Sequence, residues 1–309
     1  MRKLQKNQII STIGLLEKAH DAIKKAMDAG NPDAALTLLE QCQDSAIQIG
    51  GMIEESEGEG FATVELLENY CELLYLTYES IRQQQPVNVG KTYKNLRREL
   101  IRIENSVKND IPVRTSAVFL PYKASMWDSL ESVWKAADAD PDCDAYVVPI
   151  PYFDKNPDGS FSRMHYEGEL YPEYVPIVSW EAFDLEKEHP DVIYIHNPYD
   201  ECNHVTSVHP FFYARELRKF TDKLVYIPYF VLPEINPDDQ AAIDGMKHFC
   251  FTPGTIYANQ VIVQSEDMRQ IYINEYLKAA REMGLPGEHV DRKFLEKKFL
   301  GTGSPKIDK

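Results

Sequence analysis

Apolar and polar positions alternate at helical spacing through the first third of the chain. Apolar residues recur every three or four positions from Leu4 to Met27, and the same period returns in three further stretches that end at Val107. Asn31-Pro32-Asp33 resembles a helix start, with a capping side chain, a first-turn proline and an acid. The pattern predicts four amphipathic helices over residues 1–111, arranged as an antiparallel bundle or hairpin.

Two of the helix boundaries can be predicted as well. The second helix is expected to stop near Ile53, because the acidic, glycine-containing segment Glu54–Gly60 is typical of a turn or a frayed helix end. A third helix is then expected from Phe61. The functional interpretation of this region is an arm for self-association into a homo-oligomer, and the alternative is a purely structural appendage.

After Ile111 the pattern becomes strand-like. Short apolar runs occur at 117–120, 145–148, 192–195, 224–227, 261–263 and 298–300. Helical stretches separate most of them, at 126–137, 210–220, 238–249 and 266–283. Because apolar runs that alternate with helices are typical of a parallel sheet covered on both faces, we predict an α/β fold with a doubly wound, Rossmann-like sheet over residues 112–309.

The stretch from Phe153 to His189 lacks this rhythm. Asn156-Pro157-Asp158-Gly159 is a strong turn signal, so a turn or hairpin is expected there. The rest is predicted to be a long excursion over the sheet edge, with a further strand near Val175–Val178.

Charge and cysteine content narrow the functional classes. The chain has 33 Lys and Arg against 49 Asp and Glu, a net charge of -16, which opposes binding to nucleic acid. The five cysteines are scattered without a C-x-x-C pair, so neither a disulfide framework nor a zinc knuckle is expected. No apolar run approaches the roughly 20 residues that cross a bilayer. A soluble, cytoplasmic protein is expected.

A repeated dipeptide carries the functional prediction. Four of the strand-like runs end in Pro-Tyr, which places tyrosines at positions 122, 152, 199 and 229. Proline suits a strand end, and in a parallel sheet the carboxyl ends of the strands share one edge, where ligands bind. We therefore expect Tyr122, Tyr152, Tyr199 and Tyr229 to line a crevice for a sugar, nucleotide or polyol. The alternative is that Pro-Tyr only ends strands and packs loops.

Other polar or aromatic residues fall on the same predicted edge. The further candidates for substrate binding are Lys123, Trp127, Asn197 and Ser265. His196 ends a strand and is a weak candidate for a general base, although a structural histidine is the simpler interpretation. No metal and no cofactor are expected, since the histidine spacings fit no compact ligand motif and no dinucleotide or phosphate-loop motif occurs.

The C-terminal residues carry a family resemblance. Gly303, Pro305, Lys306 and Asp308 match the G-x-P-[RK]-x-D element of the CDP-glycerol glycerophosphotransferases, the teichoic acid polymerases and primases. Residues 191–197 also resemble a strand of that family that ends in Asn, and residues 261–272 resemble its strand followed by a Ser-containing helix start. The resemblance implies a transferase of glycosyltransferase-B architecture with two Rossmann-like halves. In a protein of that family, the C-terminal half is expected to hold CDP-glycerol, and the N-terminal half is expected to hold a glycerophosphate-type acceptor of the cell wall.

The chain also departs from the family pattern. It ends one residue after this element, so the donor-binding half is expected to be absent. The W-H-G-T-P motif, whose histidine is the family's proposed base, is replaced by residues 228–233, Pro-Tyr-Phe-Val-Leu-Pro. Two hypotheses result. One is an acceptor-side half that works at the inner membrane face, and the other is a non-catalytic binding or scaffold protein that self-associates through its helices.

Overall fold

The computed structural model describes residues 1–308, which form two compact units. The first unit comprises Met1–Arg114, and the second begins at Thr115. Each unit encloses hydrophobic clusters of its own. The boundary thus falls where the apolar pattern changes from helical to strand-like spacing.

The first unit is a bundle of long helices. They are α1 (Lys3–Asp28), α2 (Pro32–Glu57), α3 (Ala62–Arg82) and α4 (Val89–Asn109). α1 packs against α2 and α4, and α3 packs against the same two helices, so each helix has two neighbours. The apolar stripes that predicted these helices face the common core.

Local capping explains where α2 begins and ends. The Asn31 side chain accepts the Ala34 N–H at 3.2 Å, and Pro32 occupies the first turn, as predicted. The end predicted near Ile53 was wrong, because the acidic residues that follow remain helical. Gly58, with φ of 92°, ends the helix after Glu57.

The second unit contains two β-sheets, and the predicted α/β fold is confirmed. The strands are β1 (Thr115–Leu120), β2 (Cys143–Val147), β3 (Tyr152–Lys155), β4 (Phe161–His165), β5 (Val192–Ile195), β6 (Thr206–Val208), β7 (Lys223–Tyr226), β8 (Gln260–Val263) and β9 (Phe299–Gly301). Six of them form an all-parallel sheet in the order β2-β1-β5-β7-β8-β9. The chain leaves β1 for β2 and then returns to β5 on the other side of β1, so the topological switch point lies between β1 and β5.

Side chains from the central strands enter the core on both faces of this sheet. Val118 and Leu120 belong to one buried cluster, and Ala117 and Phe119 belong to the cluster on the opposite face. Burial on both sides explains why these strands have nearly continuous apolar sequences.

The excursion after β2 forms the second sheet, which is antiparallel with the order β4-β3-β6. The turn predicted from Asn156 to Gly159 joins β3 to β4, with Gly159 at φ of 85°. The strand predicted near Val175–Val178 was wrong. A single parallel bridge from Ile177 to Val147 is found there, beside Pro176, which has no N–H for a ladder.

Shorter helices connect the strands. They are α5 (Glu131–Asp138), α6 (Leu185–Glu188), α7 (Ala214–Leu217), α8 (Gln240–Met246), α9 (Pro253–Tyr257), α10 (Glu266–Glu282) and α11 (Arg292–Lys298). α10 matches the predicted helix. The helix predicted at 126–137 is shorter because a 3₁₀ segment, Ala124–Ser129, precedes α5, and the one predicted at 210–220 reduces to α7.

The length and apolar character of the helices bear on membrane insertion. Within residues 1–308, none of them combines the length and the apolar character that a bilayer-spanning segment requires.

Candidate functional site

The four Pro-Tyr tyrosines lie at one edge of the parallel sheet. β2, β1, β5 and β7 are consecutive in the sheet and parallel, so the loops that follow them are neighbours. The rings of Tyr122 and Tyr152 meet edge to face with centroids 5.5 Å apart, and the hydroxyl groups of Tyr199 and Tyr229 are close enough to shift each other's pKa. We call this set of four side chains the tyrosine rim.

The rim surrounds the topological switch point. Tyr122 follows β1 and Tyr199 follows β5, the two strands between which the connectivity reverses. In open α/β sheets, small ligands bind in the crevice at this point. Tyr122 and Tyr152 are buried at the base of the rim, whereas Tyr199 and Tyr229 are half-buried.

His196 ties the loops of the rim together. Its Nε2 accepts the Tyr122 backbone N–H at 3.1 Å, and its Nδ1 lies 3.0 Å from Ser129 Oγ. Because Ser129 donates its own proton to the Met126 carbonyl, the histidine carries its proton on Nδ1 and donates it to Ser129. Both ring nitrogens are therefore committed.

This environment also sets the charge of His196. The side chain is fully buried, and burial lowers its pKa to about 3. A neutral imidazole with an occupied Nε2 has no free lone pair for a substrate. The general-base role considered for His196 is therefore not supported, and its geometry fits a structural histidine.

Lys123 supplies a cation beside the rim. Its Nζ lies 5.0 Å from the centroid of the Tyr152 ring and 5.7 Å from that of Tyr122, within the range of cation–π attraction. Among residues 1–308, no carboxylate lies within ion-pair distance of this half-buried ammonium. Its N–H donors remain available to an anionic ligand.

Glu167 was missed by the sequence analysis. Its Oε1 accepts the Tyr152 hydroxyl proton at 2.7 Å, and its Oε2 accepts the Ala124 N–H at 2.9 Å. One carboxylate thus fixes the ring of Tyr152 and the start of the loop after Lys123. The pKa of Tyr152 is raised to about 12, with burial as the largest cause and the hydrogen bond to Glu167 as the second.

A histidine–aspartate pair supports Tyr152 from the small sheet. His165 stacks on the Tyr152 ring with centroids 4.9 Å apart, and its Nε2 lies 2.7 Å from Asp154 Oδ2. His165 and Tyr152 are direct partners in the β3–β4 hairpin. The register of the hairpin would have identified this contact, but the turn signal in the sequence does not fix that register.

The remaining rim hydroxyls stay protonated near neutral pH. Burial is the largest cause that raises the pKa values of Tyr122, Tyr199 and Tyr229. These groups can donate or accept hydrogen bonds, and none serves as an anionic base at that pH. The site thus offers neutral hydroxyls, flat ring faces and one ammonium group, beside the Glu167 carboxylate that accepts the Tyr152 hydroxyl proton.

The loop after β5 holds two further polar side chains. Asn197 Oδ1 approaches the Tyr199 N–H at 3.5 Å and shapes the turn. Asp200 is buried with φ of 45°, and its Oδ2 accepts the Ala214 N–H at 2.8 Å. Its Oδ1 has no partner within residues 1–308, and burial raises the pKa of this carboxyl to about 7.

Two predicted binding residues lie elsewhere. Trp127 is buried in the core against Trp134 and Tyr171, so it does not face the rim. Ser265 follows β8, as expected, but its hydroxyl accepts the Met268 N–H at 3.2 Å as a helix cap and donates to Glu234 at 2.7 Å. The sequence located the strand end correctly and could not foresee these local partners.

The residues of the G-x-P-K-x-D element contact the segment that follows β1. Lys306 Nζ lies 2.7 and 2.6 Å from the two carboxylate oxygens of Asp128, and the Ser132 hydroxyl donates to Asp308 at 2.7 Å. Gly303, with φ of 105°, permits the turn that leads there. Both charged residues of the element are therefore held by intramolecular partners.

In the described part of the chain, no group of three His, Cys, Asp or Glu residues could hold a metal ion. No protein-family model, curated protein or solved structure matches the chain. The assignment of function therefore rests on the geometry of the rim.

Proposed function

We propose that the tyrosine rim binds a small phosphorylated polyol, and that the chain is the acceptor-side half of a CDP-glycerol glycerophosphotransferase-like protein. The observation that carries this proposal is the uncommitted ammonium of Lys123 beside two tyrosine rings at the switch point of the sheet. A phosphate would pair with the ammonium, while the rim hydroxyls would hydrogen bond to the polyol.

The chain's share of the reaction is to bind and orient the acceptor. In such a transfer, an acceptor hydroxyl attacks the phosphorus next to glycerol in CDP-glycerol, a new O–P bond forms and CMP leaves. Positioning of this kind lowers the entropic barrier without a catalytic group on this half. The donor and the group that removes the hydroxyl proton would come from a second half. A wall-polymer acceptor would place the step at the inner membrane face.

Calorimetric titration of the whole chain tests the binding step. We expect saturable binding of sn-glycerol 3-phosphate and much weaker binding of glycerol, since only the former can pair with Lys123. Lys123→Met should weaken the binding of glycerol 3-phosphate about tenfold or more, because a hydrogen bond to a charged group contributes about 1.5–3 kcal/mol. Tyr229→Phe, which removes one hydroxyl, should weaken it severalfold.

The control is Lys94→Met, which makes the same change of charge at an exposed position in the helical unit. It should leave the affinity unchanged. Equal losses with Lys94→Met and Lys123→Met would argue against a rim site. Binding of CDP-glycerol more tightly than glycerol 3-phosphate would contradict the acceptor-side assignment.

A further inference from the structure

A second cavity lies on the outer side of α10, formed by residues other than those of the tyrosine rim. Its volume is about 470 Å³, within the range of small-molecule sites. Residues of α8, of α10 and of the start of α11 line it. The cavity therefore has room for a ligand larger than a single inorganic ion.

The floor of the cavity is apolar. Ile243 of α8 and Ile271 and Leu277 of α10 line it, and their exposed fractions are 6%, 2% and 6%. These side chains belong to the main hydrophobic cluster of the second unit, so they are fixed by packing. A rigid apolar floor favours a ligand with a flat or aliphatic body.

The walls carry an excess of positive charge. Lys278, Arg281 and Arg292 line the cavity with a single carboxylate, Glu275, in a chain whose net charge is -16. Glu275 is bound to Lys278, so this pair is close to neutral. Among the residues that line the cavity, the two arginines remain as the excess of positive charge.

The arginines are weakly committed to the protein. The guanidinium group of Arg281 has no hydrogen bond or ion pair with any residue of 1–308. Arg292 contacts the neutral amide oxygens of Asn274 and Gln270, with Glu296 at 3.8 Å. On α8, the carboxylate of Asp244 is bound to Lys247 at 3.1 Å. Guanidinium groups in this state present paired donors that match a phosphate.

We propose that this cavity binds a phosphate monoester with an apolar body. The phosphate lies between Arg281 and Arg292, and the body rests on the floor of Ile243, Ile271 and Leu277. This site is independent of the polyol site at the rim, since the two share no residue.

Phenyl phosphate is the probe, titrated calorimetrically into the whole chain. It should bind saturably, whereas inorganic phosphate, which lacks a body, should bind at least tenfold more weakly, and phenol, which lacks the charge, should show no saturable binding. Arg281→Gln and Arg292→Gln should each weaken the binding of phenyl phosphate about tenfold, and the double variant should abolish this binding. Lys94→Met, at an exposed position of the helical unit, should leave it unchanged.

Thermal melting identifies any variant that fails to fold, and the two single variants provide independent readings. Wild-type affinity in a folded double variant would overturn the proposal, as would the absence of saturable phenyl phosphate binding. A loss caused by Lys123→Met instead would assign the probe to the tyrosine rim and would overturn the proposal as well.

Discussion

His196 directly follows an apolar strand, the position at which a general base was considered. Its position was predictable from the sequence, but its role was not, because the role depends on the Tyr122 N–H and the Ser129 hydroxyl that occupy its ring nitrogens. Glu167 is the converse case. It has no distinctive sequence signal, yet it holds the Tyr152 hydroxyl.

Asp200 gives a test of burial at the residue scale. The pKa of its carboxyl is raised from 3.8 to about 7, so between these values the folded state keeps a proton that the unfolded state has lost. The free energy of unfolding should therefore fall as pH rises through this window and stay at the lower value above pH 7. Asp200→Asn should remove this slope and stabilise the protein by about 4 kcal/mol at pH 8, with little effect at pH 4.

Urea denaturation between pH 4 and pH 8 measures this effect. Asparagine also tolerates a positive φ, so Asp200→Asn should keep the backbone conformation at position 200. Asp138→Asn, an exposed carboxylate in α5, is the matched control and should leave the slope intact. An unaltered slope in Asp200→Asn would show that the pKa of this carboxyl is not raised in the folded state.

At the scale of elements, sequence periodicity predicted the long helices and the six parallel strands, because a wide apolar stripe or a continuous apolar run is a local property. The same method failed where an element depends on distant partners. β6 has three residues and exists through pairing with β3, and α7 has four residues between aromatic loops. The strand expected near Val175–Val178 does not form, because Pro176 has no N–H to donate to a neighbouring strand.

Gly301 of β9 tests the packing of an element. A Cβ at this position would lie 2.7 Å from the backbone oxygen of Ser265 and 2.8 Å from its carbonyl carbon, at the start of α10. Because backbone atoms cannot move away cheaply, Gly301→Ala should lower the free energy of unfolding of the second unit by about 1–3 kcal/mol. Denaturation followed by circular dichroism measures this loss.

The matched control is Gly245→Ala in α8, where no atom lies within 4 Å of the added Cβ. The alanine should leave stability unchanged or raise it by about 0.5–1 kcal/mol, since it lowers the entropy of the unfolded chain. If Gly301→Ala behaved like this control, β9 and α10 would not be in the close contact described here.

At the scale of the whole molecule, the change of apolar period near Ile111 located the two units, and the repeated Pro-Tyr dipeptides located one edge of a sheet. The order of the strands could not be derived, because periodicity carries no information on which strands are neighbours. That order places the switch point between β1 and β5, and thus gives Tyr122, Lys123 and Tyr199 their joint position. The proposed polyol site rests on this topology and on the Lys123 ammonium, which has no ion-pair partner among residues 1–308.

The central claim is that the tyrosine rim is a ligand site for a phosphorylated polyol. Its most direct test is an NMR titration of the whole chain with sn-glycerol 3-phosphate, with assigned backbone amides and tyrosine rings. The predicted result is a saturable shift of the Lys123 amide and of the rings of Tyr122, Tyr152, Tyr199 and Tyr229. Shifts confined to the surroundings of Arg281 and Arg292, or no saturable shift at any position, would contradict the account.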